Sequence, residues 1–189
     1  MEKKLKQADS NCLKIALFGP ESTGKTTLAI QLATHYKTKW VPEFAREYLQ
    51  KKWDDTAKIC ELKDILPIGI GQMELENTLA KKANKLLICD TNLLETKVYS
   101  ETYYSGKCPP EIAKYALENK YDLYFLTYID TPWEADDLRD RPDDRLLMFN
   151  AFKSTLVSNN IPYVLLKGTK EERLTKAITC IDKLIDSRT

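Results

Sequence analysis

Eight residues near the N-terminus limit what this chain can fold into more than any other feature: Gly19-Pro20-Glu21-Ser22-Thr23-Gly24-Lys25-Thr26. Their spacing, G-x-x-x-x-G-K-[ST], follows directly on the apolar run Leu13–Phe18 and opens into a helical pattern, TTLAIQLATHY. That order of strand, loop and helix is what an anion cradle requires. The two glycines let the backbone curl, so that successive N–H groups point inward at the positive end of a helix dipole. Lys25 is then placed to bridge the β- and γ-phosphates of a nucleotide, with the Thr26 hydroxyl on Mg²⁺. At ordinary glycine frequency the motif arises by chance somewhere in such a chain with a probability of roughly one per cent or less. Gly19, Glu21, Ser22, Thr23, Gly24, Lys25, Thr26 and Thr27 are therefore expected to surround a nucleoside triphosphate.

The rest of the chain supplies the fold such a loop needs. Leu13–Phe18, Lys39–Val41, 86–89, 123–129 and Tyr163–Leu166 are apolar, strand-length runs, and most lack polar alternation. This is the pattern of strands buried on both faces of a parallel sheet. Helical spacing over 25–36, 68–83 and 146–159 alternates with them. The expected architecture is a three-layer α/β/α sandwich on a parallel, five-stranded sheet. The stretch 42–84 is long for one crossover and is expected to hold two or three helices divided at Pro67, Gly69 and Gly71, while Pro109-Pro110 should open another helix. With 189 residues, 43% of them hydrophobic, the chain suits a single domain, with residues 1–12 as a flexible extension.

Twenty-nine basic against 28 acidic residues give a net charge of +1, which argues against a protein built to coat nucleic acid or an anionic membrane. The N-terminus, MEKKLKQADSN, has no apolar signal core, and no window approaches the ~18 apolar residues of a membrane span. A cytoplasmic protein is expected. Cys12, Cys60, Cys89, Cys108 and Cys180 are scattered and odd in number, which suits reduced thiols rather than disulfides or a zinc site. His35, the sole histidine, reads as an ordinary surface or half-buried residue.

A second nucleotide-site part is expected at the end of a neighbouring strand, and Leu86-Leu87-Ile88-Cys89-Asp90 supplies a carboxylate for the Mg²⁺ side; capping of the next helix is its plainer use. No N-K-x-D base-reading segment follows, and the chain is small for an AAA+ motor, which leaves a small kinase. Such an enzyme needs an acceptor pocket, a carboxylate near the acceptor hydroxyl and an arginine-bearing lid. Glu43, at the carboxyl end of the second strand, and Arg46, one turn on, are placed where ligands bind in open α/β sheets, though they also suit a plain helix start. Arg139, Arg141 and Arg145 follow the fourth strand and are the lid candidates, against the plainer reading of a solvated, salt-bridged helix. Lys167-Gly168-Thr169-Lys170 is either a wall for the adenine or a turn into the last helix.

The segments GPESTGKTTL, VPEFAREYL, ICDTNLLETKVYSETYY and IDTPWEADDLRDRP together resemble the nicotinamide riboside kinase domain of NadR-type proteins, over roughly residues 13–185. The resemblance implies ATP- and Mg²⁺-dependent phosphorylation of the 5′-hydroxyl of nicotinamide riboside to nicotinamide mononucleotide. It places Pro42, Glu43 and Phe44 along the riboside site with Asp90 and Asn92 beside it, Tyr103 or Tyr104 as an aromatic wall, and Trp133, Asp136 and Asp137 on the far side. Relatives often carry Trp at the position of Pro42, so the ring-stacking partner is expected among Trp40, Phe44 and Trp133. The base is left open between Glu43 and Asp90. The chain is expected to use small-molecule partners only, as a monomer or homo-oligomer.

Overall fold

The computed structural model describes residues 2–136, 138 and 143–188. Among the described residues five strands, β1 (Leu13–Phe18), β2 (Lys39–Val41), β3 (Leu86–Asp90), β4 (Leu123–Thr127) and β5 (Tyr163–Leu166), form one fully parallel sheet in the order β2-β3-β1-β4-β5. The α-helices of the described residues connect and cover them: α1 (Lys25–His35), α2 (Phe44–Thr56), α3 (Ile65–Ala80), α4 (Leu93–Tyr103), α5 (Pro110–Glu118), α6 (Arg145–Ser158) and α7 (Lys170–Asp186).

The central strand shows why the apolar runs lack alternation. All six residues of β1 are buried. Because side chains alternate across a strand, Ile15 and Leu17 join the core under α1 and α7 with Leu28, Leu32, Ala177 and Ile181. Ala16 and Phe18 face the other way, into the core of α4, α5 and α6 with Val98, Ile112 and Phe152. Both faces are covered, so both must be apolar. Phe18 sits edge-on to Phe152 and Tyr124, with ring centroids 4.8 and 5.8 Å away. A fully buried ring of this kind stabilises by about 2–3 kcal/mol through removal from water.

Two expectations are corrected. Residues 1–12 are not a flexible extension over their described part, because Leu5 is buried in the α3–α5 core. Asn119 Nδ2 donates to the Leu5 carbonyl at 3.0 Å and the Gln7 N–H donates to Asn119 Oδ1 at 3.1 Å. Asn77 does the same one step on, accepting from the Ala8 N–H and donating to the Lys6 carbonyl. The segment 42–84 does hold two α-helices, but it is not divided at Pro67, Gly69 and Gly71, which lie within α3. Pro67 stands in the first turn, where its missing N–H costs no hydrogen bond. The break falls earlier, after Ala57, the left-handed C-cap of α2, and before a 3-10 turn over Leu62–Asp64. Gly71 is there for a packing reason: a Cβ on it would stand 2.2 Å from the Phe44 ring. Pro110 opens α5 as expected.

Candidate active site

β1 has β3 on one side and β4 on the other, so the loop leaving it emerges where the strand order reverses. Open α/β sheets bind ligands at that point. The loop 19–26 is shaped by three positive φ angles, at Gly19 (145°), Ser22 (55°) and Gly24 (80°), and Gly24 is the N-cap of α1. Gly19 is needed for space as well, since a Cβ would lie 2.5 Å from Thr127 Oγ1 and 2.9 Å from the Thr127 carbonyl. The Thr23 hydroxyl, buried, is within 2.7 Å of both the Pro20 carbonyl and Thr127 Oγ1, which ties the loop to the end of β4.

Lys25 is buried and curls back under the loop. Its Nζ donates to the Gly19 carbonyl at 2.7 Å and the Pro20 carbonyl at 3.0 Å, and lies 3.2 Å from Glu95 Oε1. Burial disfavours its charge, but Glu95, Glu43 and Asp90 more than offset this and hold its pKa above the ordinary lysine value. Asp90 ends β3, 1% exposed, and accepts from Thr26 Oγ1 at 2.5 Å. Its other oxygen is buried without a hydrogen-bond partner among the described residues. Burial, reinforced by Glu43 and opposed by Lys25, pushes Asp90 up to about 6. A hydroxyl and a buried carboxylate with a spare oxygen, beside a phosphate loop, is a hard, oxygen-only donor set that suits Mg²⁺.

The plainer use of Asp90 as a helix cap is excluded, because Asn92 fills that role. Its side-chain oxygen accepts from the Glu95 N–H at 3.0 Å and its amide donates to the Tyr124 hydroxyl at 3.2 Å. Asn92 is completely buried with both ends engaged.

On the acceptor side, Glu43 precedes α2 and is half-buried, close enough to Lys25 and Asp90 to act on both electrostatically. Pro42 is exposed and Phe44 half-buried. Gln72 of α3, which sequence reasoning missed, fixes this segment from below: it accepts from the Phe44 N–H at 2.8 Å and donates to the Pro42 carbonyl at 3.3 Å. Arg46 does not pair with Glu43. Its guanidinium reaches across to Asp136, which brings the segment after β4 against α2. Tyr103 packs against Tyr99, and the Tyr104 hydroxyl interacts with the Cys60 thiol. Trp40 packs with the α1–α7 core on the far side of β2 from this cleft, which leaves Phe44 and Trp133 as candidate stacking rings.

Thr131, Glu134 and Arg145 meet the tip of the phosphate loop at Ser22. The Thr131 hydroxyl donates to the Ser22 carbonyl at 2.5 Å, and the Glu134 N–H donates to Ser22 Oγ at 3.3 Å. Arg145 donates to the carbonyls of Thr131 (2.8 Å) and Ser22 (3.1 Å), with its guanidinium 5.7 Å from the Trp133 ring centroid. Arg145, one of the lid candidates, thus secures two loops to each other. Asp137, Arg139 and Arg141 lie outside the described residues.

Two further groups escaped the sequence reading. Glu95 is one. The other is Arg173 of α7, 4% exposed, which donates to the carbonyls of Thr23 (2.7 Å), Tyr128 (3.0 Å) and Gly168 (3.0 Å) and pairs with Asp130. Asp130 in turn accepts from the Gly168 N–H at 2.7 Å. Lys167-Gly168-Thr169-Lys170 turns into α7 through a capping box of Thr169 with Glu172, so its turn role holds.

Residues 14–173 match the family described as AAA domain. The chain belongs to that family. The match runs from β1 into α7 and is to a domain fold, so it does not bear on the expectation that the chain is no AAA+ motor. Among curated proteins it is similar to the trifunctional NAD biosynthesis/regulator protein NadR of Salmonella typhimurium, 30% identical over 155 residues, covering 81% of this chain and 38% of that one. The NadR of Escherichia coli is 28% identical over 170 residues, with 89% and 41% coverage. The chain therefore spans about two-fifths of the length of these relatives. Among solved structures, a NadR protein in complex with NR superimposes with a TM-score of 0.77 at 20% identity, covering 92% of this chain and 52% of that one. The fold is shared with it, and the expected parallel-sheet architecture holds. Among the described residues no helix is long and apolar enough to cross a membrane.

Proposed function

We propose that the domain is an ATP- and Mg²⁺-dependent kinase acting in the cytoplasm, which transfers the γ-phosphoryl group to the 5′-hydroxyl of nicotinamide riboside and yields nicotinamide mononucleotide. The observation that carries this reading is the convergence of Lys25, Thr26 with Asp90, and Glu43 on one phosphate loop. This occurs in a chain whose relatives are NAD biosynthesis proteins. Thr26 and Asp90 would hold the Mg²⁺, which supplies charge neutralisation at the phosphates. Lys25 orients the phosphates, and Glu43 or Asp90 takes the acceptor proton. Phosphoryl transfer depends mostly on positioning and charge, so the base contributes less than the lysine.

Two features favour a cationic acceptor. Glu43, Asp90 and Glu95 cluster around Lys25, and half-buried Phe44 and Trp133 offer ring faces nearby. A desolvated pyridinium gains about 2 kcal/mol from a good aromatic face. The decisive assay couples ADP formation to NADH loss with nicotinamide riboside against a panel of deoxynucleosides and nucleoside monophosphates. Turnover is expected with the riboside, and calorimetry is expected to show the neutral, reduced riboside binding at least tenfold more weakly. Equal binding of the two forms, or preference for a deoxynucleoside, overturns the assignment.

The pH profile follows from Asp90. With the carboxyl pushed up from 3.8 to about 6, it is protonated below that pH in the metal-free protein, and a bound cation must displace the proton. Apparent Mg²⁺ affinity is therefore expected to fall about tenfold per pH unit below 6 and to level off above it. The Mg²⁺ concentration giving half-maximal rate, measured from pH 5 to 8, tests this; a constant value between pH 5 and 7 contradicts it.

A further inference from the structure

Glu95, three residues past the Asn92 cap, faces the underside of the phosphate loop from α4 and is 1% exposed. Among the described residues neither of its side-chain oxygens accepts a hydrogen bond, and its neighbouring cation is Lys25, at 3.2 Å. An ammonium has three protons to donate. Two of those on Lys25 go to the Gly19 and Pro20 carbonyls, and Glu95 Oε1 stands 3.2 Å from the same nitrogen as its ion-pair partner. The lysine that should grip the nucleotide thus has two donors engaged by the loop and a carboxylate beside it.

Phosphate oxygens approaching Nζ compete with these three neighbours. The two carbonyls belong to the loop itself, whose shape is fixed by the Thr23 hydroxyl on the Pro20 carbonyl and by the packing of Gly19 on Thr127. Glu95 stands on a different element, and it is an anion of the same charge sign as the incoming phosphates. Burial pushes its pKa up to about 8, against the pull of Lys25 and with the added push of Glu43 and Asp90, so it can take up a proton when the lysine departs.

We propose that Glu95 is a positioning residue that holds Lys25 ready in the nucleotide-free site and is exchanged for the phosphates when nucleotide binds, so that nucleotide affinity is set by competition between this carboxylate and the ligand. The proposal rests only on the nucleotide half of the function given above. It predicts a gain that a merely structural role would not give: Glu95→Gln, which keeps the shape and removes the competing charge, should bind AMP-PNP with Mg²⁺ about tenfold more tightly by calorimetry. The KM for ATP should fall in parallel while the KM for the acceptor stays unchanged. Glu95→Asp, whose carboxylate is withdrawn by one methylene, should fall between the two. Should the glutamine variant fail to fold, the aspartate variant and a crystal structure of the wild-type protein with AMP-PNP and Mg²⁺ decide the matter; in that structure Lys25 Nζ should have left Glu95 for the phosphates. Unchanged or weaker AMP-PNP binding in a folded variant, or a lysine still within hydrogen-bond reach of Glu95 in the complex, overturns the proposal. Absence of AMP-PNP binding to the wild-type protein overturns the nucleotide site itself, a distinguishable result.

Discussion

Replacing Lys25 with alanine should lower kcat/KM by at least about a thousandfold, or roughly 4 kcal/mol of transition-state stabilisation, while nicotinamide riboside binding by calorimetry stays measurable. The ammonium is the cation set under the loop at 2.7–3.0 Å from the Gly19 and Pro20 carbonyls, and nothing else described carries a charge into that position. The substitution has a second effect that must be separated from the first. Lys25 also balances Asp90 and Glu95, both buried, so its loss leaves carboxylates without a counter-ion, which costs several kcal/mol unless they take up protons. The double variant Lys25→Ala/Glu95→Gln removes one of those carboxylates and should recover part of the lost stability in a urea titration without recovering turnover. Activity within tenfold of wild type in the single variant would defeat the mechanism.

Arg173→Ala should be the most destabilising single change away from the sheet. One guanidinium donates to three backbone carbonyls and pairs with Asp130, at 4% exposure. Alanine leaves those carbonyls and the carboxylate without their partner together. Breaking a buried, hydrogen-bonded charge pair from one side costs about 3–5 kcal/mol; because Asp130 keeps some contact with solvent, about 3 kcal/mol is expected here. That is a large share of a total stability of about 5–15 kcal/mol. Arg173→Lys should recover little, since a point charge cannot reach four acceptors spread over a planar fork. The Thr23 carbonyl is among those released, so the KM for ATP should rise as well. Equal urea midpoints for alanine variant and wild type contradict this account.

Much of the fold was legible because its strands are covered on both faces. Runs such as Leu13–Phe18 carry a single polar residue, Lys14, and Leu13–Phe18, Lys39–Val41 and Tyr163–Leu166 match the observed bounds residue for residue. The phosphate loop was legible because its chemistry is carried by adjacent residues. What failed was punctuation and reach. Pro67, Gly69 and Gly71 look like a break in sequence, but a first-turn proline is harmless and the glycines answer to side chains from elsewhere, Ile112 and Phe44. Gln72 and Glu95 are the polar members of apolar helix faces, and only that oddity in the pattern could have singled them out. Arg173 sits in KEERLTK, which reads as a solvated helix face; its four partners come from three other stretches of chain, and no local spacing encodes them.

The two walls of the cleft have separate foundations. The phosphate wall is secured to α7 through Arg173, and the acceptor wall hangs from α3 through Gln72 and the notch that Gly71 leaves for Phe44. Substitutions along the outer edge of α3 or α2 can therefore retailor which alcohol is accepted while the triphosphate grip keeps its shape, and a library confined to those two helices is the economical route to redirecting this scaffold toward new nucleosides.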